Sequence, residues 1–226
     1  MRVEFRVLET AAQLAVLPPF ERAIWGDDGD VVSVNMLVAC IDEGGVAIGA
    51  FAEDHIVGAV FGFRTHEPRV MHSHYLAVAP DQRRNGLGEQ LKREQATWCV
   101  ARGVTAMRWT FDPLRLANAH LNLVKLGARA TQYHVNHYGE LGGINGSLPS
   151  DRLTVQWELV DPWPAVVETR TITVPAVTLE EIGASAAEAF AARLAVRAEL
   201  VPLLDAGWQV VGIDRDTRTY TVGRGQ

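Results

Sequence analysis

Cysteine is scarce: Cys40 and Cys99 are the only two in 226 residues. They lie far apart and inside apolar helical patterns, which excludes a disulfide framework or a metal-ligand spacing and reads them as reduced core thiols. No stretch approaches ~18 uninterrupted apolar residues, so no membrane span is expected. The opening residues MRVEFRVLET carry no apolar signal region, and the cytoplasm is the expected location. An excess of positive charge is also missing. The net charge of −6 argues against a general nucleic-acid binder, so any bound anion must be drawn by a local cluster. What is present is a hydrophobic content of 48% with a mixed charged surface, ample for the core of a soluble globular protein.

Val3, Phe5 and Val7 alternate with polar residues and predict a first strand. Thr10 then precedes helix formers interrupted by Pro18-Pro19, and VVSVNMLVACIDEGG fits a second helix stopped by Gly44-Gly45. VAIGAFAED and HIVGAVFGFRT predict an antiparallel hairpin turning near Glu53-Asp54. VMHSHYLAVAP predicts a strand ending at Pro80, followed by a helix that reaches Arg102-Gly103. On a helical wheel Leu87, Leu91 and Trp98 form one core face of that helix, and Glu94 falls on the same face. VTAMRWTFD predicts a strand, Asn118 to Lys125 a helix stopped by Gly127, and ARATQYHV and DRLTVQWEL two further strands. The polar loop NHYGELGGINGSLPS lies between those last two.

VDPWP marks a boundary. Residues 1–160 are expected to form the main domain, and 161–226 an extension with a strand, a helix capped by Thr178 and Glu181, and a terminal hairpin. The extension is too small for a core of its own, so it is expected to pack on the main domain or on a second subunit of a homodimer. The element order mixes a hairpin with strand-helix-strand crossovers. It predicts an α/β protein with a mixed, mostly antiparallel sheet flanked by helices.

The densest signal is APDQRRNGLGEQLKREQATWCV. A helix N-terminus leaves amides without partners and carries partial positive charge. Gly86 and Gly88 let an anion approach the main chain, and Arg83 and Arg84 add two cations. A plain strand-to-helix turn with solvated arginines is the competing reading. No lysine follows the glycines, so a Walker A loop is excluded. A dinucleotide fingerprint lacks its third glycine, although Asp112 stands roughly where a ribose-binding acid would.

Leu76-Ala77-Val78 followed by Arg83-Arg84-Asn85-Gly86-Leu87-Gly88 resembles the signature of the GNAT superfamily of acyl-CoA-dependent N-acyltransferases, in which an L-x-V strand precedes Q/R-x-x-G-x-G/A. Asn118 opening NAHLNLVKLGA resembles that family's later helix, and the element order of residues 1 to about 160 agrees. FDPLRLANAHLNLVKLGA, HYGELGGINGSLPSDRL and the extension are similar to one bacterial subgroup, some of whose members are linked to acylation of amino acids, succinylation included.

The resemblance implies that acetyl-CoA or another acyl-CoA is the cosubstrate. Main-chain groups of Leu76 and Val78, on either side of Ala77, would align the pantetheine arm. Amides between Arg84 and Gly88 would hold the pyrophosphate, and Asn118 would contact the pantetheine. The acceptor would be the amine of a small molecule, attacking the thioester directly. Such a reaction needs a base, donors for the developing oxyanion and a proton for the departing thiolate.

The family's usual tyrosine acid is replaced here by Leu123, so the thiolate takes its proton from solvent or from another side chain, with Tyr138 and Tyr133 the candidates, or leaves without an acid. His74, two residues before Leu76 with His72 two further back, is the candidate base, since an imidazole titrates in the right range. No metal is expected, because His120, His134 and His137 have no recognisable ligand spacing. Acceptor recognition is expected from the loop around Trp25 and from the long polar loop, with Arg152 pairing a substrate carboxylate. The missing tyrosine also admits a degenerate domain that binds acyl-CoA as a sensor or assembly module.

Overall fold

The computed structural model of the chain describes residues 2–26, 31–83, 85–139, 149–175 and 186–225. Strand β1 spans Glu4–Val7. Thr10 then caps α1 (Ala11–Leu14): its hydroxyl accepts from the Gln13 N–H while the Gln13 side chain reaches back to the Thr10 N–H at 3.0 Å. Pro18 and Pro19 start a helix rather than break one. They occupy the first turn of α2 (Leu17–Trp25), where amide donors have no intrahelical acceptor to lose. Ser33 caps α3 (Val34–Asp42) by accepting from the Met36 N–H, and Gly44 at φ +85° ends it. The hairpin of β2 (Val46–Ala52) and β3 (His55–Arg64) turns through Glu53 and Asp54 at φ 49° and 66°, the left-handed pair that a two-residue loop requires.

The chain divides into two compact units. The first runs to Arg108 and includes Leu159–Asp161; the second takes Trp109 onward and most of the remainder. In the first unit the strand order is β1-β2-β3-β4-β5, with β4 at Val70–Val78 and β5 at Ala106–Phe111. All its pairs are antiparallel except β4 with β5. Leu14, Leu17, Leu37, Phe20, Phe61 and Tyr75 form its core. Burying a leucine of this kind contributes about 2 kcal/mol.

Helix α4 (Leu87–Val100) packs against β2, β3 and β4. Two strand glycines allow it to lie close. A Cβ on Gly58 would stand 2.8 Å from Leu91, and one on Gly62 would stand 2.8 Å from Gln95 and 2.7 Å from the His72 carbonyl. The buried stripe of α4 is Leu87, Leu91, Lys92, Gln95 and Cys99. Glu94 is exposed and Trp98 only half-buried, so the face differs from the one the wheel predicts. Polar Lys92 and Gln95 belong to it because Ser73 of β4 meets them: Lys92 Nζ donates to Ser73 Oγ at 2.7 Å, and Ser73 donates to Gln95 Oε1 at 2.6 Å.

In the second unit the strand order is β5-β7-β6-β9-β10-β8. Helix α5 (Leu116–Ala119) begins two residues before Asn118 and passes into a π-helical stretch, His120–Lys125, before Gly127 at φ +70°. Strands β6 (Arg129–His134) and β7 (Arg152–Glu158) pair antiparallel. Then follow β8 (Glu168–Thr173), α6 (Ala186–Asp205), β9 (Gln209–Asp214) and β10 (Thr219–Arg224). The Thr178–Glu181 cap lies outside the described residues. β9 meets β6 at Ala130↔Val210, and α6 packs on β6, β8 and β9. Both cysteines are free, Cys99 fully buried and Cys40 partly so.

Candidate active site

In β4 the register against β3 pairs Phe61 with Tyr75 but Gly62 with Ser73, leaving His74 as the unmatched residue of a bulge. Bulges of this kind re-aim side chains beside active sites. The parallel ladder of β4 with β5 runs from Val70↔Ala106 only to His72↔Arg108. Beyond it, Leu76 and Val78 have β3 alone as a ladder partner within the first unit. His74 is exposed, yet Phe61, Phe63, His72 and Tyr75 surround its ring at 5.6–6.1 Å between centroids. The four rings leave its charged form less well solvated although the residue still reaches solvent, and this lowers its pKa below the ordinary 6.5, so the imidazole is neutral and able to take a proton at neutral pH. His72 instead stacks on Phe63 at 4.8 Å.

After Pro80–Gln82 forms a single 3₁₀ turn, Gly86 caps α4 from the left-handed region, φ +78° and ψ 2°. No side chain caps this N-terminus. The amides of Leu87, Gly88 and Glu89 therefore have no intrahelical acceptor. Asn85 and Gly86 are exposed while Leu87 is buried as the anchor of the turn. Arg83 is exposed and its Nε donates to the Val78 carbonyl at 3.3 Å, tying the loop to the end of β4. Arg84 lies outside the described residues. A terminus of this form, open, glycine-capped and beside a cation, can hold a diphosphate. Trp25 is half-buried at the end of α2 and sets its ring edge-on against Tyr75 at 5.5 Å.

Beneath that contact lies Glu21 of α2, which sequence reasoning missed. It is fully buried, accepts from the Val32 N–H at 3.0 Å, and burial raises its carboxyl pKa. Burial also pushes the Tyr75 phenol upward. A 230 Å³ pocket elsewhere in this unit is lined by Val46, Arg64, Trp98 and Arg102, none of which belongs to the loop or to β4.

The second unit holds the other candidates. Asn118 is exposed and Leu123 is buried, so position 123 supplies no proton donor. Its neighbour Asn122 is buried and accepts from Trp109 Nε1 at 3.3 Å. Tyr133 donates to Asp151 at 2.6 Å, and burial raises its pKa, which holds it as a structural donor. Tyr138 is half-exposed, with its hydroxyl 3.0 Å from Thr110 Oγ1 and its ring 4.4 Å from His137. Arg152 is no surface cation: its side chain is 12% exposed and stands over the Tyr138 ring. Asp112 is not available as a ribose acceptor, because both its oxygens face the buried Arg193 at 2.8 and 3.4 Å. Among the described residues, no group of three His, Cys, Asp or Glu could hold a metal ion. No helix among them is long and apolar enough to cross a membrane.

Residues 12–127 match the family model described as acetyltransferase (GNAT) family, and the chain belongs to that family. No curated protein matches the chain. Solved structures share its fold. The ribosomal-protein-S18-alanine N-acetyltransferase of Escherichia coli is 16% identical, with a TM-score of 0.58 over 74% of this chain and 100% of that one. The diaminobutyrate acetyltransferase EctA of Paenibacillus lautus, solved with L-2,4-diaminobutyric acid and coenzyme A, is 20% identical, with a TM-score of 0.55 over 72% and 98%. yncA of Salmonella typhimurium, solved with acetyl-CoA, is 16% identical, with a TM-score of 0.56 over 73% and 98%. The chain is thus a GNAT-type acyltransferase, with the mixed sheet and flanking helices of that fold.

Proposed function

We propose that this enzyme transfers an acetyl or other short acyl group, succinyl among them, from acyl-CoA to the amine of a small molecule of the amino-acid class. The observation that carries the reading is the uncapped, glycine-opened N-terminus of α4, which begins at Leu87 after β4 ends at Val78. Amides from Gly86 to Glu89 would receive the pyrophosphate, with Arg83, Arg84 and Asn85 of the preceding sequence as its further partners. Main-chain groups of Leu76, Ala77 and Val78 would align the pantetheine arm, with Asn118 a further contact.

The acyl donor supplies a thioester carbonyl, and the chain supplies proton handling and orientation. His74 accepts the proton of the incoming amine, directly or through one water, and its lowered pKa keeps it in the accepting form. Tyr138 donates toward the departing thiolate in place of the residue replaced by Leu123. Trp25 and Arg152 orient the acceptor. Residues 161–226 act as an extension of the 1–160 domain, and the working form is a homodimer in the cytoplasm. No nucleic acid takes part, consistent with the net charge of −6.

Free-thiol release from acetyl-CoA and succinyl-CoA against a panel of amines and amino acids tests the reading. Turnover with at least one acceptor is expected. Tight CoA binding without turnover of any acceptor would instead support an acyl-CoA-binding sensor module, a reading favoured by the buried Leu123.

A further inference from the structure

The second unit carries a largely buried positive charge that its described residues do not neutralise. Arg193, 1% exposed, takes both oxygens of Asp112, and the Leu114 N–H donates to one of them at 2.9 Å. Arg152 must share that same carboxylate, reaching it only at 3.4 Å through Nη1. The neighbouring Asp151 offers Arg152 its main-chain carbonyl at 3.3 Å but not its carboxylate. That carboxylate is held by Arg197 through two bonds of 2.9 Å, by Tyr133 and by the Asn136 N–H.

The aspartates are therefore committed to other partners. Arg152 faces one shared anion with Arg193 beside it, and Arg115 adds further repulsion. Its Nε and Nη2 have no acceptor among the described residues, and the buried Arg193 Nε has none either. Burial of a guanidinium is costly unless an anion completes it. The fork edge that remains has the geometry for two parallel bonds to a carboxylate. Half-exposed Tyr138 flanks it, with the guanidinium carbon 5.6 Å from the ring centre and the hydroxyl beside Thr110.

We infer that Arg152, backed by the Asp112–Arg193 pair, is a recognition site for a substrate carboxylate. The inference rests on the acyltransferase reading above and narrows it. The substrate carries a carboxylate either on the acceptor, as in an amino acid, or at the far end of the acyl group, as in succinyl-CoA.

The test compares the wild type with R152M and R152K on matched pairs. L-Amino acids are set against their decarboxylated amines with acetyl-CoA, and acetyl-CoA against succinyl-CoA with one amine. Neither variant removes the Asp112–Arg193 pair, and circular dichroism of each checks that the fold is retained. A charge-assisted bond of this type is worth about 10- to 150-fold. The wild type should prefer the carboxylate-bearing member in kcat/KM. R152M should erase that preference by such a factor, and R152K should restore only part of it. Loss confined to the amino-acid arm places the carboxylate on the acceptor; loss confined to the succinyl arm places it on the acyl group. A preference unchanged in R152M overturns the site while leaving the acyltransferase reading intact.

If no acceptor turns over, the acyltransferase reading fails by itself, and the site is read by binding. The same amino acids and amines are then compared by their shift of the unfolding temperature in the presence of CoA. A carboxylate-dependent shift lost in R152M supports the site. Equal or absent shifts overturn it.

Discussion

Replacing Lys92 by methionine should stabilise the protein at neutral pH and abolish most of its pH dependence above pH 7. Lys92 is 2% exposed, and burial lowers its pKa to about 7. In the unfolded chain a lysine titrates near 10.4. Between those two values the unfolded chain binds a proton that the folded chain does not, so stability rises with pH across that window. At pH 7 the cost is on the order of 4 kcal/mol, and at pH 9 it has fallen to about 2 kcal/mol. Wild-type stability should therefore climb by about 2 kcal/mol over those two pH units.

Methionine keeps the stem and removes the ammonium, and Ser73 retains Gln95 as its acceptor. Urea denaturation at pH 6.5, 7, 8 and 9, followed by the fluorescence of the six tryptophans, gives both quantities. Burial pushes the Cys99 thiol up to about 12, so above about pH 8.5 it opposes the rise, because the unfolded thiol ionises there and the folded one does not; the variant keeps this contribution, and the difference between the two proteins isolates Lys92. A variant that keeps the wild-type slope, or that is less stable at pH 7, refutes the argument that a buried ammonium bears the cost.

Three further outcomes test other parts of the structure. Gly86→Ala meets no atom nearer than 3.8 Å, so its cost is the left-handed backbone alone. A loss of about 1–2 kcal/mol in denaturation and a raised KM for acyl-CoA are expected; an unchanged KM would remove the loop from the donor site. Asp112→Asn strands the buried Arg193 and should cost about 3–5 kcal/mol in the same assay, whereas a loss below about 1 kcal/mol would mean that the pair is not a buried charge pair. His74→Asn should lower kcat and remove the acidic limb of the pH profile, whose midpoint in the wild type lies below the ordinary histidine value of 6.5. A limb that persists in the variant would show that another group accepts the proton.

Most of the fold is legible in the sequence because its signals are local. Thr10, Ser33, Gly44, the Glu53-Asp54 turn and the glycines at 86 and 88 each act within a few residues of themselves. The pieces that escaped are set by partners distant along the chain. A helical wheel is oriented by its apolar residues alone, so it set Trp98, and Glu94 with it, on the buried face of α4. Ser73, nineteen residues before Lys92, rotates the buried stripe by accepting its ammonium. His74 carries the right residue type in plain view, but its place in a bulge is a one-residue register difference that only pairing with β3 creates.

Arg152 gives the sharpest case. The sequence offers Arg152 as the partner of a substrate carboxylate but not the reason, since the adjacent Asp151 touches it only through a carbonyl. The anion it shares is Asp112, already claimed by Arg193 from 81 residues away. Charge excess is a property of three groups at once, and no pairwise motif can register it. In space Arg152 is left with unused donors, and this is the condition under which a substrate's carboxylate can be recognised.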